Sequence, residues 1–348
     1  MSWLLGLFIA GVVVLLVLDL GFVHREAQVL PLRQALVRAA VWVGLGLSFA
    51  LVVFLAYAHH WTGLGATPDP VDGLVNTGAS AMVKYLTGYV VEESLSVDNL
   101  FVMAVIFSYF RVPPALQHRV LFWGILGAIV MRGGMIGLGV ALITRFRWVL
   151  YVFGGLLIIT AIRMLRMKAG HTDPGRNAMV RLARRIFPVT ADFHGKRFVI
   201  RAGPRYAASG DEAVMRAKRG LVMLTPLAIA LITIETTDLL FALDSIPAIF
   251  AITADPFIVF TSNVCAVMGL RSLYSALAHL LNRFRFLNVA LAIVLMLVGL
   301  KMLASAWLVA RVGHGFTFYF LGVVVLVLGA GIILSMVVDR HPRRRARG

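Results

Sequence analysis

Apolar runs of about 20 residues recur along this 348-residue chain, and no other feature restricts its fold so severely. At 1.5 Å per residue, such a run crosses a hydrocarbon layer of about 30 Å as a single helix. Within lipid every backbone N–H and C=O must find a partner in the chain itself, which long continuous apolar runs achieve as helices. Nine spans are expected, at about 2–20, 40–58, 76–110, 119–142, 148–165, 221–251, 257–281, 286–308 and 316–338. The first lacks a basic leading segment and a small-residue cleavage site, so it reads as a retained helix. The expected fold class is an all-α polytopic membrane protein embedded in the lipid bilayer. A single cysteine, Cys265, excludes an internal disulfide and a thiolate metal cluster.

The net charge of +17 suggests a nucleic-acid partner until its placement is considered. With the N-terminus outside, the segments 24–38, 111–119, 166–219, 282–285 and 339–348 are inside and hold 25 of the 33 Lys and Arg residues. The outer loops hold only Arg145, Arg147 and Arg311, and five basic residues lie within spans. This asymmetry is the positive-inside signature, so the basic balance reports topology and anionic lipid, with no nucleic acid. The C-terminus is then inside, as the positions of a cytoplasmic-membrane protein require.

Charge inside the spans is the chemically informative part. Glu92, Glu93, Asp98 and Asn99 interrupt the run 76–110, and Glu235, Asp238, Asp244 and Ser245 interrupt 221–251. A charge at the bilayer centre costs roughly 2.5–3.5 kcal/mol on insertion scales, so such residues mark function. Setting Asp98-Asn99 over Asp244-Ser245 brings Glu92 onto Asp238, the same six-residue offset twice. On a continuous helix Glu92, Ser96 and Asn99 share a face, while Asp98 points elsewhere. The first run would be about 52 Å long as one helix, and Pro247 follows Asp244 closely in the second. A steep tilt or a break near the acids is therefore expected in the first run. Either each helix unwinds between its acids or each acid faces a different neighbour, and Pro247 favours a break in the second.

The repetition extends further. Arg145-Phe146-Arg147 precedes a span ending in Arg163-Met164-Leu165, and Arg283-Phe284-Arg285 precedes one ending in Lys301-Met302-Leu303, offset by 138 throughout. Arg132 corresponds to Arg271. Three spans per unit invert the second unit relative to the first, the pattern of secondary transporters with midplane sites. The expected organisation is two extra N-terminal helices and an outer loop (1–75), a first three-helix repeat (76–166), a basic cytoplasmic linker (167–220), a second repeat (221–308), and a last helix with a basic tail (309–348). Within the linker, 176–187 reads as a basic amphipathic helix on the inner leaflet, and 197–201 as a short strand. The linker carries no catalytic constellation and is expected to be solvated and lipid-facing. The glycines of 133–139 read as close helix packing.

Carboxylates, an amide and a hydroxyl are hard oxygen donors. Glu92, Asp98, Asn99, Asp238, Asp244 and Ser245 could together supply a six-coordinate Mn²⁺, Mg²⁺ or Ca²⁺ site. Protons compete with a cation for the same buried carboxylates, a route to exchange. Accessory roles fall to Glu93, Glu235, Asp19 at the inner end of the first span, and the in-span cations Lys84, Arg132 and Arg271. The plain structural alternative is that the acids only salt-bridge those cations.

Leu86-Thr87-Gly88-Tyr89 with Glu92 to Phe101, and Asp238 to Phe250 with Thr253 to Tyr274, resemble the two signatures of the TerC/Alx family of integral membrane proteins. Lysine is usual in the family where this chain has Glu93. The resemblance implies an inner-membrane protein linked to tellurite resistance, with a three-plus-three helix plan like the LysE exporter superfamily. Its Alx branch implies Mn²⁺ export, with the motif acids falling on Glu92, Asp98, Asp238 and Asp244. The expected function is therefore a secondary transporter that exports Mn²⁺, coupled to protons and without a resident cofactor, rather than an enzyme. A membrane scaffold in stress resistance is the alternative, and export of a small organic cation is a second. An intramembrane aspartyl protease is disfavoured because the GxGD segment is absent.

Overall fold

The structure, a computed structural model, describes residues 2–23, 32–146, 148–166, 178–207, 211–277, 287–304 and 316–339. The side chains of Asp19, Asp98 and Arg271 lie outside the described residues. So do Arg147, the 283–286 turn and the tail from 340, and with them what the sequence leads one to expect there.

The chain is an all-helical polytopic membrane protein. Its helices are α1 (Ser2–Val23), α2 (Leu32–Ala58), α3 (Gly78–Tyr109), α4 (Pro114–Arg145), α5 (Val149–Arg166), α6 (Ala178–Ile186), the short α7 (Pro204–Ala207) and α8 (Glu212–Arg216), α9 (Pro226–Phe250), α10 (Pro256–Met268), α11 (Leu270–Leu277), α12 (Leu287–Leu303) and α13 (Phe316–Asp339). Among the described residues four helical stretches are long and apolar enough to cross a membrane: Arg33–Ala58, Pro114–Arg145, Val149–Arg166 and Pro226–Phe250. Shorter apolar stretches lie within α1, α10, α12 and α13.

The starts follow from local chemistry. Thr77 and Ser80 form a reciprocal capping box ahead of α3, with Ser80 N–H donating to Thr77 Oγ1 at 3.3 Å and Thr77 N–H to Ser80 Oγ at 2.8 Å. Pro114, Pro226 and Pro256 each sit in a first turn, where the missing N–H costs nothing. Asp255 caps α10 by accepting from the N–H groups of Phe257 and Ile258.

Of the alternatives left open at the acids, a break is not the one found, and the break that Pro247 favours in the second run is corrected. Neither acid-bearing helix breaks: α3 runs unbroken through Glu92 and Asp98, and α9 runs through Asp238, Asp244 and Pro247. Glu92, Asp238 and Asp244 are met sideways by other helices, so the backbone need not unwind to serve them. Pro247 falls one turn before the end of α9, where it forfeits a single ladder bond. The interruption lies instead in the following span, which divides at Gly269 into α10 and α11.

Helix α5 packs along α12, α3 along α9 and α10, and α4 along α9 and α10. At the α5–α12 crossing Gly154 and Gly299 bring the backbones together: a Cβ on Gly299 would lie 2.9 Å from the Gly154 carbonyl oxygen and 2.9 Å from Ile158 Cγ1. Gly299→Ala must spread the pair, and an overpacking cost of about 1–3 kcal/mol is expected. Thermal denaturation in detergent should show this loss, and an unchanged melting temperature would contradict the close crossing. In the 133–139 segment Gly139 abuts the Phe250 ring and Gly133 lies 3.1 Å from Phe260 by the same measure, while Gly134 and Gly137 meet nothing.

The linker is more folded than expected. Strand β1 (Val199–Arg201) pairs antiparallel with β2 (Val222–Leu224), the latter cut from the start of the run read as a span. Ile200, Ala202, Val214 and Met223 form a small core beneath them. Asp211 organises the turn by accepting from the N–H groups of Asp192, Ala213 and Val214 and lies 3.2 Å from His194 Nε2. Burial pushes the Asp211 carboxyl up, but these donors outweigh it and hold it below the usual range.

Candidate functional site: a buried arginine shared by two helices' acids

Arg132, in the middle of α4, is 1 % exposed and sits where α3, α4, α9 and α10 meet. Its Nη2 donates to Asp238 Oδ1 at 2.9 Å and its Nε to Asp238 Oδ2 at 3.1 Å, a two-pronged grip that only a guanidinium offers. Its Nη1 donates to Glu92 Oε1 and lies 3.4 Å from Asn263 Oδ1. Glu92 is fully buried and Asp238 nearly so. Four elements thus contribute one side chain each: Glu92 from α3, Arg132 from α4, Asp238 from α9 and Asn263 from α10.

One guanidinium faces two carboxylates, so the centre carries an excess negative charge. Polar atoms without a protein partner among the described residues lie on the helices that build it: Glu92 Oε2 and Ser96 Oγ on α3, Ser245 Oγ on α9, and Asn263 Nδ2 on α10. Ser96 lies one turn beyond Glu92 and Ser245 two turns beyond Asp238, on the same faces as those acids. Asn99 is buried on the α3 face as well. Glu235 lies one turn before Asp238 against Gly127, with its Oε2 unpartnered, and Glu93 lies beside the Tyr89 hydroxyl one turn back on α3.

Other expected site residues fall elsewhere. Asp244 accepts from Thr160 Oγ1 of α5 at 2.9 Å and lies within reach of the Arg163 charge. It is six residues past Asp238, about 9 Å along the helix. Among the described residues no three His, Cys, Asp or Glu side chains gather as a metal cage.

Lys84 does not serve the Glu92–Asp238 centre, which corrects its expected accessory role. Eight residues before Glu92 places it about 12 Å away along α3, beyond ion-pair distance. Its Nζ lies 2.9 Å from Asp69 Oδ2 and 2.7 Å from Asp72 Oδ2, and donates to Asn76 Oδ1 at 2.7 Å. Asp69 also accepts from the Thr253 hydroxyl and, at 3.0 Å, from the Ala254 N–H. Lys301 of α12, over the Phe320 ring at 4.7 Å, lies within electrostatic reach of Asp69, Asp72 and Lys84. This second charge centre was missed because its acids belong to a loop. The available signal was the only basic residue of the 76–110 run lying 15 and 12 residues after two aspartates. Asn263 was missed too, although an amide inside an apolar run is a signal in itself.

Fold and site together define an integral multi-pass membrane protein with a charged centre buried among its helices. The chain belongs to the TerC family: the integral membrane protein TerC family profile matches residues 77–343. It is 42 % identical over 334 residues to an uncharacterised membrane protein of Myxococcus xanthus, covering 96 % of this chain and 92 % of that one. It is 38 % identical over 342 residues to an Escherichia coli protein named "Putative membrane-bound redox modulator Alx", covering 98 % and 96 %. A Photorhabdus laumondii protein of the same name is 37 % identical over 337 residues, covering 97 % and 95 %. No solved structure matches the chain.

Proposed function

We propose that this protein is a secondary transporter that exports a divalent cation, Mn²⁺, across the cytoplasmic membrane in exchange for protons. The observation that carries the reading is the uncompensated charge around Arg132: two buried carboxylates, one guanidinium, and an unpartnered Glu92 oxygen on a face that also bears Ser96. A hard dication and Arg132 compete for the same carboxylate oxygens, so cation entry requires the guanidinium to release at least one acid. Hard oxygen donors suit Mn²⁺, Mg²⁺ and Ca²⁺ alike, and the choice of Mn²⁺ comes from the Alx-branch resemblance. Asp98 and Asp244, with Asn99 and Ser245, would hold the ion on its way, and protons would replace it on the same groups.

The same reading includes an inverted pair of three-span units, α3–α5 and α9–α12 with α10 and α11 as one divided span, and places the N-terminus outside and the C-terminus inside. Arg163 and Lys301, equivalent under the 138-residue offset, each end a helix beside aspartates from elsewhere in the chain. Their helices, α5 and α12, pack on one another, and so do the acid-bearing α3 and α9. Both facts support the repeat.

The relatives' name suggests a redox role, for which one cysteine, Cys265, supplies no thiol pair within this chain. Cellular metal content separates the readings. Wild type should lower cell-associated Mn under Mn load, while Asp98→Asn and Asp244→Asn, expressed to the same level, should not. Equal lowering by all three would remove the site assignment, and unchanged Mn with altered Mg, Ca or Zn would remove the choice of ion.

A further inference from the structure

We infer that α6 is a docking site for anionic lipid, held against the acid-bearing helix α9. This does not rest on the transport reading. One shoulder of α6 is covered by the protein: Val180 is buried with Leu224, Ala228 and Ile229, and Ala183, Phe198 and Ile232 pack around them. Ala228, Ile229 and Ile232 belong to the first two turns of α9, so α6 lies at an end of a spanning helix, the level of lipid headgroups.

The other apolar shoulder is exposed among the described residues. Leu182 and Ile186, spaced i and i+4, are 49 % and 60 % exposed. Arg181, Arg184 and Arg185 are exposed on the remaining arc, and none of the ion pairs among the described residues includes them. Among the described acids of this unit, Asp211 is engaged by backbone N–H groups and His194, and Glu212 by Arg216 at 2.8 Å; the third, Asp192, is exposed at a bend beyond the end of α6, and none lies on α6 itself. An apolar shoulder continuous with a three-arginine arc and free of carboxylates suits one surface: acyl chains beside anionic phosphate headgroups. A soluble acidic protein would match the arginines but not the open apolar shoulder at membrane level.

The test uses the full chain in nanodiscs of equal phosphatidylglycerol and phosphatidylcholine, released for native mass spectrometry. Wild type should retain phosphatidylglycerol over phosphatidylcholine. The triple variant R181Q/R184Q/R185Q should lose that preference by roughly tenfold, since each basic group near a charged surface contributes a few-fold. L182S/I186S should lower the retained amount of both lipids. All substituted residues are exposed, so melting in lipid-free detergent should stay at the wild-type value. Equal retention of the two lipids by wild type would overturn the proposal, as would unchanged preference in the triple variant. A shift of oligomeric state without any change in retained lipid would overturn it in favour of a contact between copies of the chain.

Discussion

Arg132→Met should destabilise the protein by about 3–5 kcal/mol, the usual cost of stranding buried charge by removing one partner. Arg132 and both of its carboxylates are at most a few per cent exposed, so solvent cannot take over the lost bonds. Arg132→Lys should recover only part, because an ammonium cannot grip Asp238 with two parallel N–H groups while also meeting Glu92. Removing the stranded acids as well, in R132M/E92Q/D238N, should restore most of the stability, since a neutral hydrogen-bonding cluster replaces an unbalanced one. Thermal denaturation of the purified variants measures this directly. Coupled with Mn content, the triple variant divides the two meanings of the cluster. If the acids serve only to bind Arg132, cells carrying the restored protein should have the same Mn content as cells carrying wild type. If they hold the cation, it should be stable and inactive.

Much of this architecture was legible because lipid makes hydropathy decisive. Spans read at 119–142, 148–165 and 316–338 correspond to α4, α5 and α13, with ends that agree to within five residues. The strand read at 197–201 ahead of a Gly-Pro turn corresponds to β1 at Val199–Arg201, but its partner at 222–224 was hidden, since three apolar residues before an apolar helix look like more of the same span. A break at the acids was one of the open alternatives, and it is absent for a definite reason. Spacing along one helix says where an acid points, but its satisfaction depends on a residue 40 or 106 positions distant in sequence. With Arg132 supplying that partner, the helical ladder of α3 survives intact. The charge centre at Lys84 was overlooked for the converse reason: loop aspartates next to Gly and Pro read as solvated turn residues, which outweighed the signal of a lone in-span lysine, and the fold buries Asp69.

Lys84→Met should cost about 3 kcal/mol at neutral pH, and the cost should shrink as pH falls. Asp69 is fully buried, and burial alone pushes its carboxyl up; the Lys84 ammonium, the Thr253 hydroxyl and the Ala254 N–H together hold it below the ordinary range instead. In the wild type this lowered value contributes stability that is complete above the unfolded carboxyl pKa of about 3.9 and lost only below it, so Asp69 adds no slope between pH 8 and 5. Without Lys84 the ammonium's pull is gone and burial prevails. The Asp69 pKa in the folded protein then exceeds its unfolded value, the folded state binds the extra proton, and stability rises as pH falls. Lys301, within reach of both aspartates, keeps the loss near the lower end of the usual range. Melting temperatures from pH 8 to 5 should therefore converge for wild type and Lys84→Met, and the added Asp69→Asn should flatten the variant's profile. A constant gap across that range would show that Lys84 acts by packing its methylenes rather than by its charge. Because Asp69 joins the loop before α3 to the Thr253–Ala254 connection between α9 and α10, convergence would also locate one charge on which the two acid-bearing helices depend in common.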